Sequence, residues 1–332
     1  MKTIVQKYGG TSVNTAEKRE MIAKKARDVL AQGAIPVIVV SAMGRYPSPY
    51  ATDSLFSIIE KERADKRSSD LLISCGEVIS TVVVSEDLKT KGIDAYPMTG
   101  FQAGILTDDR FGDAEIIRID TSRLDEILSQ GKVPVVAGFQ GMNEMGEILT
   151  LGRGGSDTTA AALGRYLCSE AVEIYTDVDG VFSADPNSVE GTRLLEQLSY
   201  DDVLAMARSG AKVLHPRAVT HAKQGQVPLC VMNTTKERST PHTIIGTETI
   251  SDMPFLGIAK SEEGNMTRIT VFMLPDASEE SSLIASAIEK NGISAADVRI
   301  EGIAYSFLTD TAGAADAVAM LHKTLMECYF ES

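Results

Sequence analysis

The chain has 332 residues, 43% hydrophobic and 23% charged, an ordinary globular composition; it exceeds the roughly 250–300 residues at which a single core stops growing, so two domains are expected. A formal net charge of -14 speaks against nucleic acid or an anionic membrane as partner, and a nucleotide site must gather its own local positive charge. No signal peptide is read at the start, no apolar run approaches the roughly 20 residues of a membrane helix, and Cys75, Cys168, Cys230 and Cys328 form no C-x-x-C pair, so a cytoplasmic protein with buried free thiols is expected.

In chain order, residues 3–8 read as a buried strand and Gly9-Gly10-Thr11-Ser12 as a turn. Residues 15–31 follow as a helix, with Ile22, Ala26, Val29 and Leu30 at helical spacing and Gly33 as its stop. The run PVIVVS at 36–41 reads as a strand buried on both faces. Helices are expected at 53–62, 71–88, 121–130 (with a Thr N-cap), 157–168, 199–208 and 215–224. Strands are expected at 95–98, 133–137, 171–175 and 228–232, with 147–151 leading into a glycine turn. Such alternation implies a layered α/β domain with a mainly parallel sheet. A break is read near 235–252, with the polar stretch 234–243 as a linker. Beyond it come a strand at 267–275, a helix at 281–291, a hairpin of 297–301 and 303–309 about Gly302, a helix at 312–325 and a last strand at 327–330. That order, β-α-β-β-α-β, is ferredoxin-like.

Five stretches carry chemistry. Lys7-Tyr8-Gly9-Gly10-Thr11-Ser12 joins a strand to a helix: glycines let backbone N–H groups approach an anion, and Lys7 adds a mobile cation, although a tight turn is the alternative. The Walker A pattern is absent. Ser41-Ala42-Met43-Gly44 lies at a strand's carboxyl end, where α/β sheets bind ligands, with a plain loop as the alternative. The elbow Gly152-Arg153-Gly154-Gly155-Ser156-Asp157 crowds glycines, a guanidinium fork suited to a carboxylate, hydroxyls and an acid at a helix start. Asp177 and Asp179 follow a strand and are open to metal, turn or nucleotide roles. Lys212, after Gly210, is a second cation for a phosphate; His215 reads as a structural helix-start residue.

Taken in order, KYGGTSV, VVSAMG, ATDSL, SCGEVIS, GFQG, TLGRGGSDTTAAALG, EIYTDVDGVF and GAKVLHPRAV resemble the aspartate kinases of the amino acid kinase superfamily, over about residues 2–245. The resemblance implies a three-layer αβα sandwich with an eight-stranded, mostly parallel central sheet at 1–240, and a single small ferredoxin-like (ACT-type) α+β module at 251–332. It implies transfer of a phosphoryl group from ATP, with Mg²⁺ on the nucleotide phosphates and no metal-ligating side chains, to the β-carboxylate of L-aspartate. By the same resemblance Lys7 and Asp157 are catalytic. Thr52, Glu77, Arg153, Gly154, Gly155 and Ser156 hold aspartate, while Lys7, Tyr8, Gly9, Gly10, Ser41, Thr176, Asp177, Phe182, Asp185, Lys212 and Val213 hold the nucleotide.

Two departures stand out. Phe182, Ser183 and Asn187 replace residues of the family's V-Y-T-A-D-P-R run. After the linker only about 80 residues remain, enough for one ACT module where the family has two, and Pro275-Asp276-Ala277-Ser278 stands where its glycine-bearing turn is expected. An amino-acid effector and a homodimer are the expected partners. The alternatives are a relative acting on another carboxylate or carbamate, and an inactive amino-acid-binding regulatory subunit.

Overall fold

The structure, a computed structural model, describes residues 1–60, 63–211, 213–253, 255–274 and 280–330. The chain begins with β1 (Thr3–Tyr8), the short α1 (Gly10–Val13), α2 (Ala16–Ala31), β2 (Ile35–Val40), α3 (Thr52–Phe56) and α4 (Lys66–Thr90). Then come β3 (Ala95–Met98), β4 (Ile105–Thr107), β5 (Ile116–Ile119), α5 (Ser122–Ser129), β6 (Val133–Ala137), β7 (Gln140–Met142), β8 (Ile148–Thr150) and α6 (Gly155–Tyr166). After these run β9 (Ala171–Thr176), β10 (Gln197–Ser199), α7 (Tyr200–Arg208), α8 (Pro216–Gly225), β11 (Leu229–Asn233) and β12 (Thr243–Gly246). The last elements are β13 (Phe255–Glu263), β14 (Met266–Met273), α9 (Glu280–Lys290), β15 (Ala296–Glu301), β16 (Ala304–Asp310) and α10 (Ala314–Phe330).

Two compact units result: residues 1–179 with 217–241, and residues 180–216 with 242–332. In the first, six strands pair in parallel in the order β11-β9-β1-β2-β6-β3. The strands are apolar because both faces are covered. Ile38, Val40 and Tyr8 join Ile22 and Ala26 of α2 and Val84 and Leu88 of α4 in one core. Intervening Val37 and Val39 point the other way, toward the side where Ala160, Ala161 and Leu163 of α6 are fully buried. This is the expected αβα layering. A small four-stranded sheet, β5-β4-β7-β8, is added to it.

In the second unit β10 and β12 pair in parallel. A four-stranded antiparallel sheet follows, β13-β14-β16-β15, with α9 and α10 contributing Ile284, Ile288, Val318, Leu321 and Leu325 to its core. The expected hairpin about Gly302 is present. The strand order differs from the one read in the sequence: residues 327–330 continue α10 instead of forming a strand, and the fourth strand is β13, before β14. Its outer half, Ala-Lys-Ser-Glu-Glu, is largely exposed and polar, so it carries little of the apolar alternation that marks a strand. The turn at 275–278 lies outside the described residues.

Smaller corrections have clear causes. The helix expected at 53–62 stops at Phe56. Thr121 does not cap α5: it has helical φ/ψ and its hydroxyl donates to Asp125, while Asp120 accepts the Ser122 N–H at 3.1 Å. Residues 234–238 are no loose linker. The ammonium of Lys25, itself buried, donates to the Thr234 and Lys236 carbonyls at 2.7 and 2.8 Å, and Arg238 pairs with buried Glu173 at 2.5 Å. Of the thiols expected to be buried, Cys230 is, but Cys75 and Cys168 are exposed; the Cys328 side chain lies outside the described residues.

Candidate functional site

Register places the candidates. Tyr8 is level with Val40 and Tyr175, Val40 with Ala137, and Thr176 with Asn233. The segments leaving β1, β2, β6, β9 and β11 therefore emerge together at the sheet's carboxyl end, the usual ligand side of an open α/β sheet.

The glycine turn and the Ser41–Gly44 turn are locked against one another. Gly44 N–H donates to Gly10 O at 3.0 Å and Ser41 N–H to Tyr8 O at 3.1 Å. A Cβ on Gly10 would stand 2.4 Å from Ala42 O and 2.7 Å from Gly44 O, so this close approach requires glycine. Lys7 reaches back over the turn, its ammonium 3.7 Å from where a Gly9 Cβ would lie, and forms an ion pair with Asp157 at 2.6 Å. Both side chains are largely buried yet keep some access to solvent (13% and 19%), so a substrate oxygen can reach the pair.

Asp157 lies in the first turn of α6. The N-cap, Gly154, has φ 67° and no side chain to accept from the first turn; Gly155 N–H donates to Gly152 O at 3.1 Å, and the next N–H groups, of Ser156 and Asp157, are the kind of donors that make a helix start an anion site. Ser156, buried, follows directly. Arg153 is exposed and makes no hydrogen bond or ion pair among the described residues. The elbow is held from beneath: Leu151 N–H donates to Phe139 O at 2.8 Å, Phe139 N–H to Thr159 Oγ1 at 3.0 Å, and Arg217 Nη1 to Leu151 O at 2.9 Å.

Glu77 closes another side. Its helix packs Gly76 against Ala42, Tyr50 and Leu55, which brings the Thr52 segment, the Ser41–Gly44 turn and Glu77 together. Glu77 is 2% exposed; Oε1 accepts from the Ala42 N–H at 3.0 Å and Oε2 has no partner among the described residues. Burial pushes its carboxyl up to about 8, against the smaller lowering by that hydrogen bond. The free oxygen can accept from an arriving ammonium, whose positive charge favours the ionised carboxylate.

Thr176 is tied to the glycine turn through one residue. Its carbonyl accepts from Thr234 N–H at 2.8 Å, and the Thr234 hydroxyl meets that of Ser12 at 2.7 Å. Asp177 is exposed. Asp179 is occupied by Lys236 at 2.5 Å and Asn233 at 2.9 Å, which makes it a turn residue. Tyr8 departs from expectation: its ring is fully buried and stacks on Tyr175 at 4.7 Å, so its side chain belongs to the core. Phe182, Asp185 and Val213 lie in the second unit. Phe182 bridges to Leu194, and Asp185 accepts from the Asn187 N–H at 3.0 Å, bonds that hold its carboxyl below the usual range. Lys212 lies outside the described residues.

No local pattern signals two supporting groups. Asp70, 1% exposed, accepts from Gly112 N–H at 2.8 Å, Thr150 N–H at 2.9 Å and Thr150 Oγ1 at 2.7 Å, fixing the strand that enters the elbow. Lys25 clamps the 234–236 segment, its ammonium 5.0 Å from the Tyr175 ring centroid; burial pushes its pKa down to about 8.

Residues 2–233 match the amino acid kinase family model. Aspartokinase 2 of Bacillus subtilis (strain 168) is 41% identical over 336 aligned residues, covering 98% of this chain and 80% of that one. The aspartate kinase structure from Synechocystis superposes with a TM-score of 0.65 at 31% identity, covering 96% of this chain and 54% of that one. E. coli aspartokinase III, solved with aspartate and ADP, superposes with a TM-score of 0.65 at 24% identity over 95% of this chain and 80% of that one, a likeness of fold. The chain belongs to the amino acid kinase family and, within it, to the aspartokinases.

Proposed function

We propose that this chain transfers the γ-phosphoryl group of ATP to the β-carboxylate of L-aspartate beside the Lys7–Asp157 pair, yielding 4-phospho-L-aspartate and ADP. As an aspartokinase it is a phosphotransferase with a carboxyl acceptor, on the route to lysine, threonine and methionine. The observation that carries the site assignment is the 2.6 Å ion pair between the glycine turn and the elbow.

The attacking carboxylate is already ionised, so no general base is needed. The barrier lies in bringing two anions together in line, which positioning and electrostatics lower. Lys7 sets an ammonium where charge gathers on the transferring group, and Asp157 fixes the direction of that ammonium. Arg153, without a partner among the described residues, offers its fork to the α-carboxylate, beside Gly154, Gly155 and Ser156 at the α6 N-terminus. Glu77, with its unpartnered Oε2, takes the α-ammonium, and Thr52 lines the same side. Gly9, Gly10 and Ser41 face the phosphates. Thr176, Asp177, Phe182, Asp185, Lys212 and Val213 serve the nucleotide, with Tyr8 contributing through its backbone. Mg²⁺, held through the nucleotide phosphates, would offset their charge.

Residues 1–240 then form the catalytic domain and 251–332 one ACT-like module for an amino-acid effector. The edge strand β15 is exposed along its whole length, with Val298 and Ile300 half-exposed, and pairing of such edges supports a homodimer. No described helix is long and apolar enough to cross a membrane; the cytoplasm is the proposed location.

Trapping the acyl phosphate with hydroxylamine, with L-aspartate, glutamate, N-acetylglutamate and carbamate assayed side by side, tests the function. Aspartate alone should give hydroxamate together with ADP. A preference for another acceptor contradicts the substrate, and no ADP release with any of them contradicts catalysis.

A further inference from the structure

The first unit buries a cation that the chemistry proposed above does not use. Lys25 of α2 is 1% exposed, and its ammonium donates to the carbonyls of Thr234 and Lys236 at 2.7 and 2.8 Å, with the Tyr175 ring centroid 5.0 Å away. The segment it grips leaves β11 beside the segment that leaves β9, because Asn233 is level with Thr176. Thr234 then touches both segments of the phosphate side. Its N–H and its hydroxyl donate to Thr176 O at 2.8 and 3.0 Å. Its hydroxyl oxygen is also 2.7 Å from that of Ser12, whose N–H closes the glycine turn on Gly9 O at 2.8 Å. Every residue in this chain of contacts lies in the first unit.

The bonds have a fixed direction. Thr234 spends its one hydroxyl proton on Thr176, so the Ser12 hydroxyl donates to Thr234. The remaining polar group of Thr234, its carbonyl, is the one that Lys25 holds. Ser12 and Thr234 are each 3% exposed, so water does not readily replace a partner that withdraws. Burying an ammonium costs solvation, which the two carbonyls and the face of Tyr175 offset. Removing the cation strands both carbonyls.

The surroundings set its charge. Burial pushes the pKa of Lys25 down to about 8, Glu237, Asp28 and Glu173 act in the opposite sense, and Lys24 lowers it further. Glu173 is paired with Arg238, Glu237 with Lys24, and Lys236 with Asp179, each at 2.5 Å. Burial holds Tyr8, Tyr175 and Cys230, on β1, β9 and β11, uncharged.

We propose that Lys25 is a positioning residue for phosphoryl transfer: by gripping residues 234–236 it holds Thr234 between Ser12 and Thr176, and so fixes the glycine turn against the segment leaving β9. The inference rests on the reading of the glycine turn and Thr176 as the phosphate and nucleotide side. Arg153, Ser156 and Glu77, which serve aspartate, take no part in it. A charge-assisted bond is about twice as strong as a neutral one, so the protonated lysine grips more firmly than the free amine.

The test is steady-state kinetics of the full chain with Lys25→Met, Lys25→Arg, Thr234→Val and the double variant Lys25→Met with Thr234→Val, alongside Lys7→Met. At pH 7, Lys25→Met should lower kcat/KM for ATP about tenfold or more, the size expected for a buried bond to a charged group. Aspartate binding, measured by calorimetry without nucleotide, should stay within about twofold. Thr234→Val should give a loss of the same kind, and the double variant should fall well short of the product of the two single losses; Thr234→Val also serves if Lys25→Met does not fold. A pH profile of kcat/KM for ATP, with aspartate saturating so that Glu77 does not enter, should fall through an inflection near 8 in the wild type. Lys25→Arg, whose guanidinium stays charged, should keep most of the activity and lose that inflection. The same inflection persisting in Lys25→Arg overturns the inference. So does unchanged kcat/KM for ATP in folded Lys25→Met and Thr234→Val while Lys7→Met loses turnover. If the wild type releases no ADP with aspartate, the phosphoryl-transfer reading fails and the inference with it. A parallel loss of kcat/KM for ATP, aspartate affinity and thermal stability would mark the clamp as merely structural and overturn the proposal.

Discussion

Lys7 Nζ lies 2.6 Å from Asp157 Oδ1, joining the glycine turn after the first strand to the first turn of α6. An ammonium held this way is aimed before any substrate arrives, which is where preorganised electrostatics gain their effect. Asp157→Asn keeps the shape but releases the ammonium. It should lower kcat by about 10²-fold or more and change the KM for ATP and aspartate less. Initial rates over a grid of both substrates check this.

Glu77 gives a pH signature. Its carboxyl is pushed up to about 8 in the fold, against 4.5 for an ordinary glutamate. Between those values the folded state holds more protons than the unfolded one, so stability from this group is full below about pH 4.5 and is lost as pH rises through about 8. Relative to Glu77→Gln, the wild type should lose on the order of 4–5 kcal/mol across that window. Urea midpoints of both proteins at pH 5 and pH 9 measure the difference. A constant offset would show that Glu77 is ionised throughout.

Gly138 leaves no room for a side chain: a Cβ would stand 2.8 Å from the Cβ and Oγ of Ser156 and 3.0 Å from Val39 Cγ1. Gly138→Ala should push α6 and Ser156 away from the sheet, costing about 1–3 kcal/mol of stability. The aspartate KM should rise more than that for ATP. Thermal melting with paired KM measurements checks both.

Asp70 offers a control remote from the chemistry. Asp70→Ala strands the Gly112 and Thr150 N–H groups, and should cost about 2–4 kcal/mol. Asp70→Asn, which keeps one acceptor oxygen, should cost less. Urea titration of the three proteins gives the order.

The layered α/β fold was legible because each element announces itself locally: apolar runs for the parallel strands, helical spacing in α2, glycines where turns approach; Lys7 and Asp157 stand in such glycine turns, whereas Glu77 is marked only by the family resemblance. What was not legible depends on distant partners. Tyr8 looks like part of a binding loop until Tyr175 stacks on it. Lys25 and Asp70 look like surface charges on helices, because the backbone atoms that hold them come from residues 234–236, 112 and 150. Strand β13 hides in a polar stretch, and the last turn of α10 has the composition of a strand. Tertiary context, not propensity, decides such segments.

The most direct test is Lys7→Met, with turnover and aspartate binding measured on the same preparation. Aspartate-dependent ADP release should fall by about 10²–10³-fold, while calorimetry shows aspartate binding within a few-fold of the wild type. Near wild-type turnover in the folded variant would contradict the account.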